Sequence, residues 1–215
     1  MHVVDLPRPR HRVEASELSA WAGRWLDAAG LGRVDLAGHS LGGLVAAELA
    51  AASPERTRRL VLVAPAGIPC GRHLAARALP LFGELYDIRG SLPMIALDAV
   101  RTGPLALAHG IRFVSTRDLA AELSAVRAPT LLVWGERDGL VPVQLADEWL
   151  RMLPDARLVR LSCGHVPMLE APGQLAASML SFLDEELADD PGDELGTGVV
   201  DGVRLARDGD EPAAR

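Results

Sequence analysis

Residues 32–52, GRVDLAGHSLGGLVAAELAAA, decide the fold. The stretch passes from a short run, Arg33 to Ala37, through a glycine-rich turn into a small, apolar, Ala-rich run from Leu41. The first run reads as a β-strand and the second as a buried helix ended near Pro54. The junction Gly38-His39-Ser40-Leu41-Gly42 matches G-x-S-x-G in the strand-to-helix context that gives the pattern meaning. Such a turn is sharp enough to strain the backbone of the central serine. Its flanking positions must then be small, which is the reading of Gly38 and Gly42. The Ser40 hydroxyl is presented at the carboxyl end of the strand. The N-terminus of the next helix points to the same place, where its N–H groups and partial positive charge favour an oxyanion. The Leu41 N–H is the expected donor.

Outward from this junction, strand and helix signals alternate. Toward the N-terminus, Leu18, Trp21, Ala22, Trp25, Leu26 and Ala29 share a helical face, with Ser16 as the expected cap and Gly30 and Gly32 as the stop. Residues 2–6, HVVDL, read as a short strand. Toward the C-terminus, LVLVA at 60–64 and TLLVW at 130–134 are continuous apolar runs, the mark of strands covered on both faces. Val143 to Met152 reads as a helix, Arg157 to Leu161 as a strand and Gln174 to Leu187 as an amphipathic helix. Regular alternation implies βαβ units, hence an α/β fold with a mostly parallel sheet and helices on both faces. Two regions break the rhythm. Residues 66–127 hold helical stretches and no strong strand, so the core is expected at 1–65 and 128–187 with a helical insertion between. Residues 188–215 are rich in Asp, Gly and Glu and are expected to form a disordered acidic tail.

Composition narrows the function classes. The hydrophobic fraction is 49%, the charged fraction 24% and the formal net charge −7, which fit one globular domain in 215 residues. A negative balance with scattered cations argues against nucleic acid and anionic membranes as partners. The first residues contain no apolar signal core, and no apolar run approaches a membrane span, so the cytoplasm is the expected location. Two cysteines, Cys70 and Cys163, are too few for a disulfide framework and read as buried thiols. No HExxH or paired Cys/His spacing supports a metal, and no phosphate-binding glycine motif supports a nucleotide, so no cofactor is expected.

A serine hydroxyl needs a base, and the base needs an orienting group. Asp138 lies in GERDGLVP just after the strand at 130–134, and His165 lies in GHVP after the strand at 157–161. Both therefore sit at carboxyl ends of parallel strands, where sites collect. Glu136 and Asp147 are the nearby alternative acids. Among the other histidines, His2 and His11 precede the serine, His73 and His109 fall in the insertion, and His39 reads as the variable residue of the turn, pointing away from any relay. The expected catalytic set is Ser40, Asp138 and His165, with Leu41 at the oxyanion.

With these residues in view, the chain resembles α/β-hydrolase-fold proteins of the esterase, lipase and C–C hydrolase type. The matching stretches are GRVDLAGHSLGGLVAAELA, RLVLVAPAGIP, APTLLVWGERDGLVP and SCGHVPMLEAPGQ, and the likeness extends from residue 1 to about 187. The resemblance implies a serine hydrolase that cleaves carboxyl esters or related carbonyl compounds through an acyl-enzyme on Ser40. It implies a small hydrophobic ester-like substrate and a helical cap at 66–127, with Leu79, Phe82, Tyr86 and Phe113 as pocket wall or cap core. Glu170 and Pro172 take structural roles in it. A nucleophilic serine is unlike the dehalogenase and epoxide hydrolase relatives, which carry aspartate there. The resemblance also places several strands ahead of residue 1, one of them ending in a His-Gly-type loop that supplies a second oxyanion N–H, so the chain reads as N-terminally truncated. A non-catalytic relative that binds a small hydrophobic ligand, and haloperoxidase-like or acyltransferase chemistry on the same triad, stand as alternatives.

Overall fold

The computed structural model describes residues 1–7, 15–69 and 116–185. Its centre is a parallel sheet of β1 (Val34–His39), β2 (Thr57–Val63), β3 (Thr130–Gly135) and β4 (Ala156–Leu161), in the order β1-β2-β3-β4. The apolar runs of β2 and β3 are continuous because both faces are covered. Leu60, Leu62, Leu132 and Trp134 enter one buried cluster, while Val61, Val63, Leu131 and Val133 enter another on the opposite face.

The helices are α1 (Ala15–Ala28), α2 (Leu41–Ala52), α3 (Gln144–Met152), α4 (Pro167–Glu170) and α5 (Pro172–Leu183). Crossovers of one hand that step across a sheet in one direction deposit their helices on one face. In keeping with this, α2 and α3 share the first cluster through Leu44, Ala47, Ala146 and Trp149, and α5 supplies Leu175 and Phe182 to the second. α2 is buried from Gly43 to Ala50, including Glu48, because it is wedged between the sheet and α1. α1 ends on Gly30 at φ 68. There Arg56 donates to the carbonyls of Leu31 at 2.9 Å and Gly23 at 3.4 Å and pairs with Asp27 at 2.7 Å. A cation at a helix C-terminus meets the partial negative charge of the last carbonyls.

Several expectations require correction. Residues 1–7 carry no regular secondary structure, so the strand expected at 2–6 does not form. Valine favours a strand only when a neighbour supplies a ladder and a surface to pack on; among the described residues β1 pairs with β2 alone. Leu6 nevertheless packs against the core. Met1–Asp5 cluster separately from the unit Leu6–Asp184, which contains every element named here. Ser16 lies inside the first turn of α1 rather than capping it. α5 starts at Pro172 and ends at Leu183, short of the expected 187. Of the segment 66–127 expected to form a helical insertion, the structure describes only the two ends. Ala66 and Ile68 on one side, and Leu119, Leu123 and Val126 on the other, are buried in the main core. The remaining stretch, 70–115, and the tail at 188–215 lie outside the described residues, as does Cys70; Cys163 is buried.

Candidate active site

Ser40 stands between β1 and α2 with φ 51 and ψ −115. A side chain at positive φ is costly and persists only where its surroundings over-determine it. Three bonds do so here. The Ser40 N–H continues the β1–β2 ladder to the Val63 carbonyl at 3.0 Å. Its own carbonyl accepts from Leu44, in the first turn of α2, at 3.1 Å and from Ala66 at 3.0 Å. The glycines around it divide differently from the expectation. A Cβ on Gly38 would fall on the Gly42 carbonyl and 2.6 Å from the Gly43 nitrogen, so Gly38 is sterically required. A Cβ on Gly42 would meet nothing within 4 Å. The second required glycine is Gly43, where a Cβ would lie 2.9 Å from the Pro65 side chain. Leu41 is the first residue of α2, and the leading N–H groups of a helix have no acceptor within it.

Asp138 follows β3 in a tight loop. Its Oδ1 accepts the N–H groups of Leu140 at 2.9 Å and Val141 at 2.7 Å. The Trp134 indole N–H donates to the Val141 carbonyl at 2.8 Å and ties the loop back to the strand. These bonds aim Oδ2 at His165, whose Nδ1 lies 2.8 Å away. The carboxylate side chain is 0% exposed, so water does not compete for this bond. A carboxylate only accepts, so Nδ1 carries the proton and Nε2 is the basic nitrogen. The other two acids are engaged elsewhere: Glu136 accepts the Ser162 hydroxyl at 3.0 Å, and Asp147 pairs with Arg160 at 2.6 Å.

His165 arrives from β4, which is three strand positions from β1. Its loop crosses the end of β3 at Gly135, where a Cβ would collide with the Gly164 carbonyl and lie 2.6 Å from that of Cys163. The Arg137 N–H holds the Cys163 carbonyl at 3.0 Å. Glu170, on α4, accepts the Gly164 N–H at 2.7 Å and the Val166 N–H at 3.4 Å, so it grips the residues on either side of the histidine. Arg137 approaches the same carboxylate at 3.9 Å.

His39 does not point away from the site. Its Nε2 donates to the main-chain carbonyl of His165 at 2.8 Å, and the two rings lie 4.8 Å apart between centroids. Burial first, and then the neighbouring His165, lower its pKa from 6.5 to about 4, against the opposing pull of its carbonyl partner and Asp138. His39, Gly43 and Gly135 are the site residues that reading along the chain does not reveal. Each acts on a partner brought close by the fold. His11, His73 and His109 lie outside the described residues. No helix among the described residues is long and apolar enough to cross a membrane.

This arrangement matches known proteins in both sequence and fold. The profile of the alpha/beta hydrolase family matches residues 2–178. A pimeloyl-[acyl-carrier protein] methyl ester esterase from Nitrosomonas europaea is 34% identical, over 68% of this chain and 69% of its own length. The protein of the same name from Photobacterium profundum is 28% identical, over 85% of this chain and 84% of its own. Among solved structures, the enol-lactonase from Burkholderia xenovorans LB400 superposes with a TM-score of 0.71 at 21% identity, covering 82% of this chain and 75% of that one. On a parallel sheet carrying a strained serine between strand and helix, with a profile match over most of its length, this chain belongs to the alpha/beta hydrolase family of enzymes.

Proposed function

We propose that the protein is a serine hydrolase of carboxyl esters or closely related carbonyl compounds, with Ser40 as nucleophile, His165 as general base and Asp138 as its orienting acid. The observation that carries this reading is the buried Asp138–His165 pair, held by His39 at the residue next to the strained Ser40. His165 Nε2 takes the Ser40 proton as Oγ bonds to the acyl carbon. The Leu41 N–H, at the head of α2, stabilises the oxyanion. The same proton passes to the leaving alkoxide, and the C–O bond to the alcohol breaks. Water then attacks the acyl-enzyme with His165 again as base, releasing the acid and restoring Ser40.

Two relatives named as methyl ester esterases support an ester as the substrate class. In this reading the substrate is small and apolar. The test is intact-mass analysis after incubation with a fluorophosphonate. One adduct per chain is expected, and none on Ser40→Ala. A folded wild-type chain that takes no adduct, or an equal adduct on Ser40→Ala, overturns the assignment.

A further inference from the structure

We infer that His39 is a positioning residue, whose imidazole holds the main-chain carbonyl of His165 and so sets the base at its working distance from the nucleophile one residue further on. The inference rests on the roles given above to Ser40 and His165.

The argument begins with the sheet. β1 delivers Ser40 and β4 delivers His165, and these strands stand at opposite ends of the order β1-β2-β3-β4. Three inter-strand spacings amount to about 14 Å. The base must therefore be carried back across β2 and β3 on a loop. Glu170, Asp138 and the Arg137 N–H also hold that loop, each from outside β1. Glu170 grips the peptides of Gly164 and Val166, but it lies only six and four residues along the chain and shapes the loop from within. Asp138 sets the tilt of the His165 ring from the end of β3. The His39 bond joins residues 126 apart in sequence and attaches the loop directly to β1. The main chain around the base is thus held by two partners: Glu170 accepts the N–H groups of Gly164 and Val166, and His39 donates to the His165 carbonyl, which shares its peptide with the Val166 N–H.

The protonation state of His39 suits this task. A carbonyl accepts only, so Nε2 of His39 carries its proton. Burial keeps the ring neutral down to about 4. A neutral neighbour 4.8 Å away does not repel the imidazolium that His165 becomes when it takes the serine proton. A lysine or arginine would make the same hydrogen bond and oppose that charge. The side chain therefore needs to be a neutral donor of imidazole length, and glutamine, whose amide nitrogen reaches about as far as Nε2, is the conservative replacement.

The experiment compares H39L and H39Q with the wild type on three readouts: steady-state hydrolysis of p-nitrophenyl butyrate, the rate of fluorophosphonate labelling, and the low-field proton resonance of His165 Nδ1–H. In H39L, kcat and the labelling rate should fall about 10²-fold with KM little changed, the effect of misplacing a catalytic group by about 1 Å. The His165 proton should exchange with solvent and broaden away. H39Q should recover kcat to within about tenfold of the wild type and retain the resonance. If H39L fails to fold, H39N replaces it, since its amide is too short to reach the carbonyl. Wild-type-like kcat in the donor-less variant, or equal impairment of H39Q, overturns the inference. A folded wild type with no labelling refutes the hydrolase reading instead. The resonance then still decides for His39: its loss in H39L with survival in H39Q supports positioning, and its survival in both overturns it.

Discussion

Asp138 concentrates three hydrogen bonds on one carboxylate: two backbone N–H groups on Oδ1 and the His165 Nδ1–H on Oδ2. Asparagine keeps the first two and reverses the third, because its amide presents a donor to Nδ1 and favours the wrong tautomer. Asp138→Asn should therefore lower kcat by about 10³- to 10⁴-fold while the melting temperature moves by only a few degrees. Glu136 bonds Ser162 instead of the histidine, so Glu136→Gln should leave kcat within about twofold. Equal losses in the two variants would show that the acid is misassigned. The positions of Asp138 and His165 were legible because each follows a run that reads as a parallel strand, and such strands gather their ends at one edge. The role of His39 was not legible. Its partner is a main-chain carbonyl 126 residues away, and no side-chain type in the sequence advertises a carbonyl.

The turn into α2 and the loop after β4 depend on glycines in different ways. Gly135→Ala would drive a methyl group into the backbone of Gly164, which cannot move without displacing His165. The expected cost is about 3 kcal/mol in urea unfolding, with activity lost beyond what stability explains. Gly42 has open space where its Cβ would go and sits within a helix, so Gly42→Ala should change stability by less than about 1 kcal/mol. Comparable costs at the two positions would contradict the packing described here. The G-x-S-x-G spacing marks Gly38 and Gly42 alike; the distinction between Gly42 and Gly43 arises from Pro65 after β2, which a local pattern does not contain. The strand expected at 2–6 is the converse case: its residues suit a strand, but a strand also needs a neighbour to pair with.

Two features bear on the stability of the whole fold. His39 is neutral in the native state down to about 4 but takes a proton below 6.5 when unfolded. Between these values the unfolded chain binds more protons, so stability rises with pH and is lost as pH falls from 6.5 towards 4. Urea unfolding near pH 7 and near pH 5 should show the wild type losing about 2 kcal/mol more than H39Q; equal losses would speak against a half-buried, neutral His39. Arg117 joins the segment leading to Leu119 to buried Glu48 on α2 at 2.7 Å and to Glu122 at 2.9 Å. Burial opposes the guanidinium charge, but the two glutamates outweigh it and push its pKa up. Arg117→Met should cost about 2 kcal/mol, less than for a fully buried pair because Arg117 is 29% exposed. Adding Glu48→Leu should restore part of the loss, and no recovery would indicate that packing rather than charge is at stake. The parallel sheet, the buried helix after Ser40 and the candidate triad all follow from hydrophobic period and turn sterics, which operate between residues near in sequence. The crossing of the His165 loop over Gly135, the His39 tether and the Arg117–Glu48 pair do not. They join segments that meet only after the sheet has assembled, and contacts between distant segments depend on the path of the loops, which no local pattern encodes.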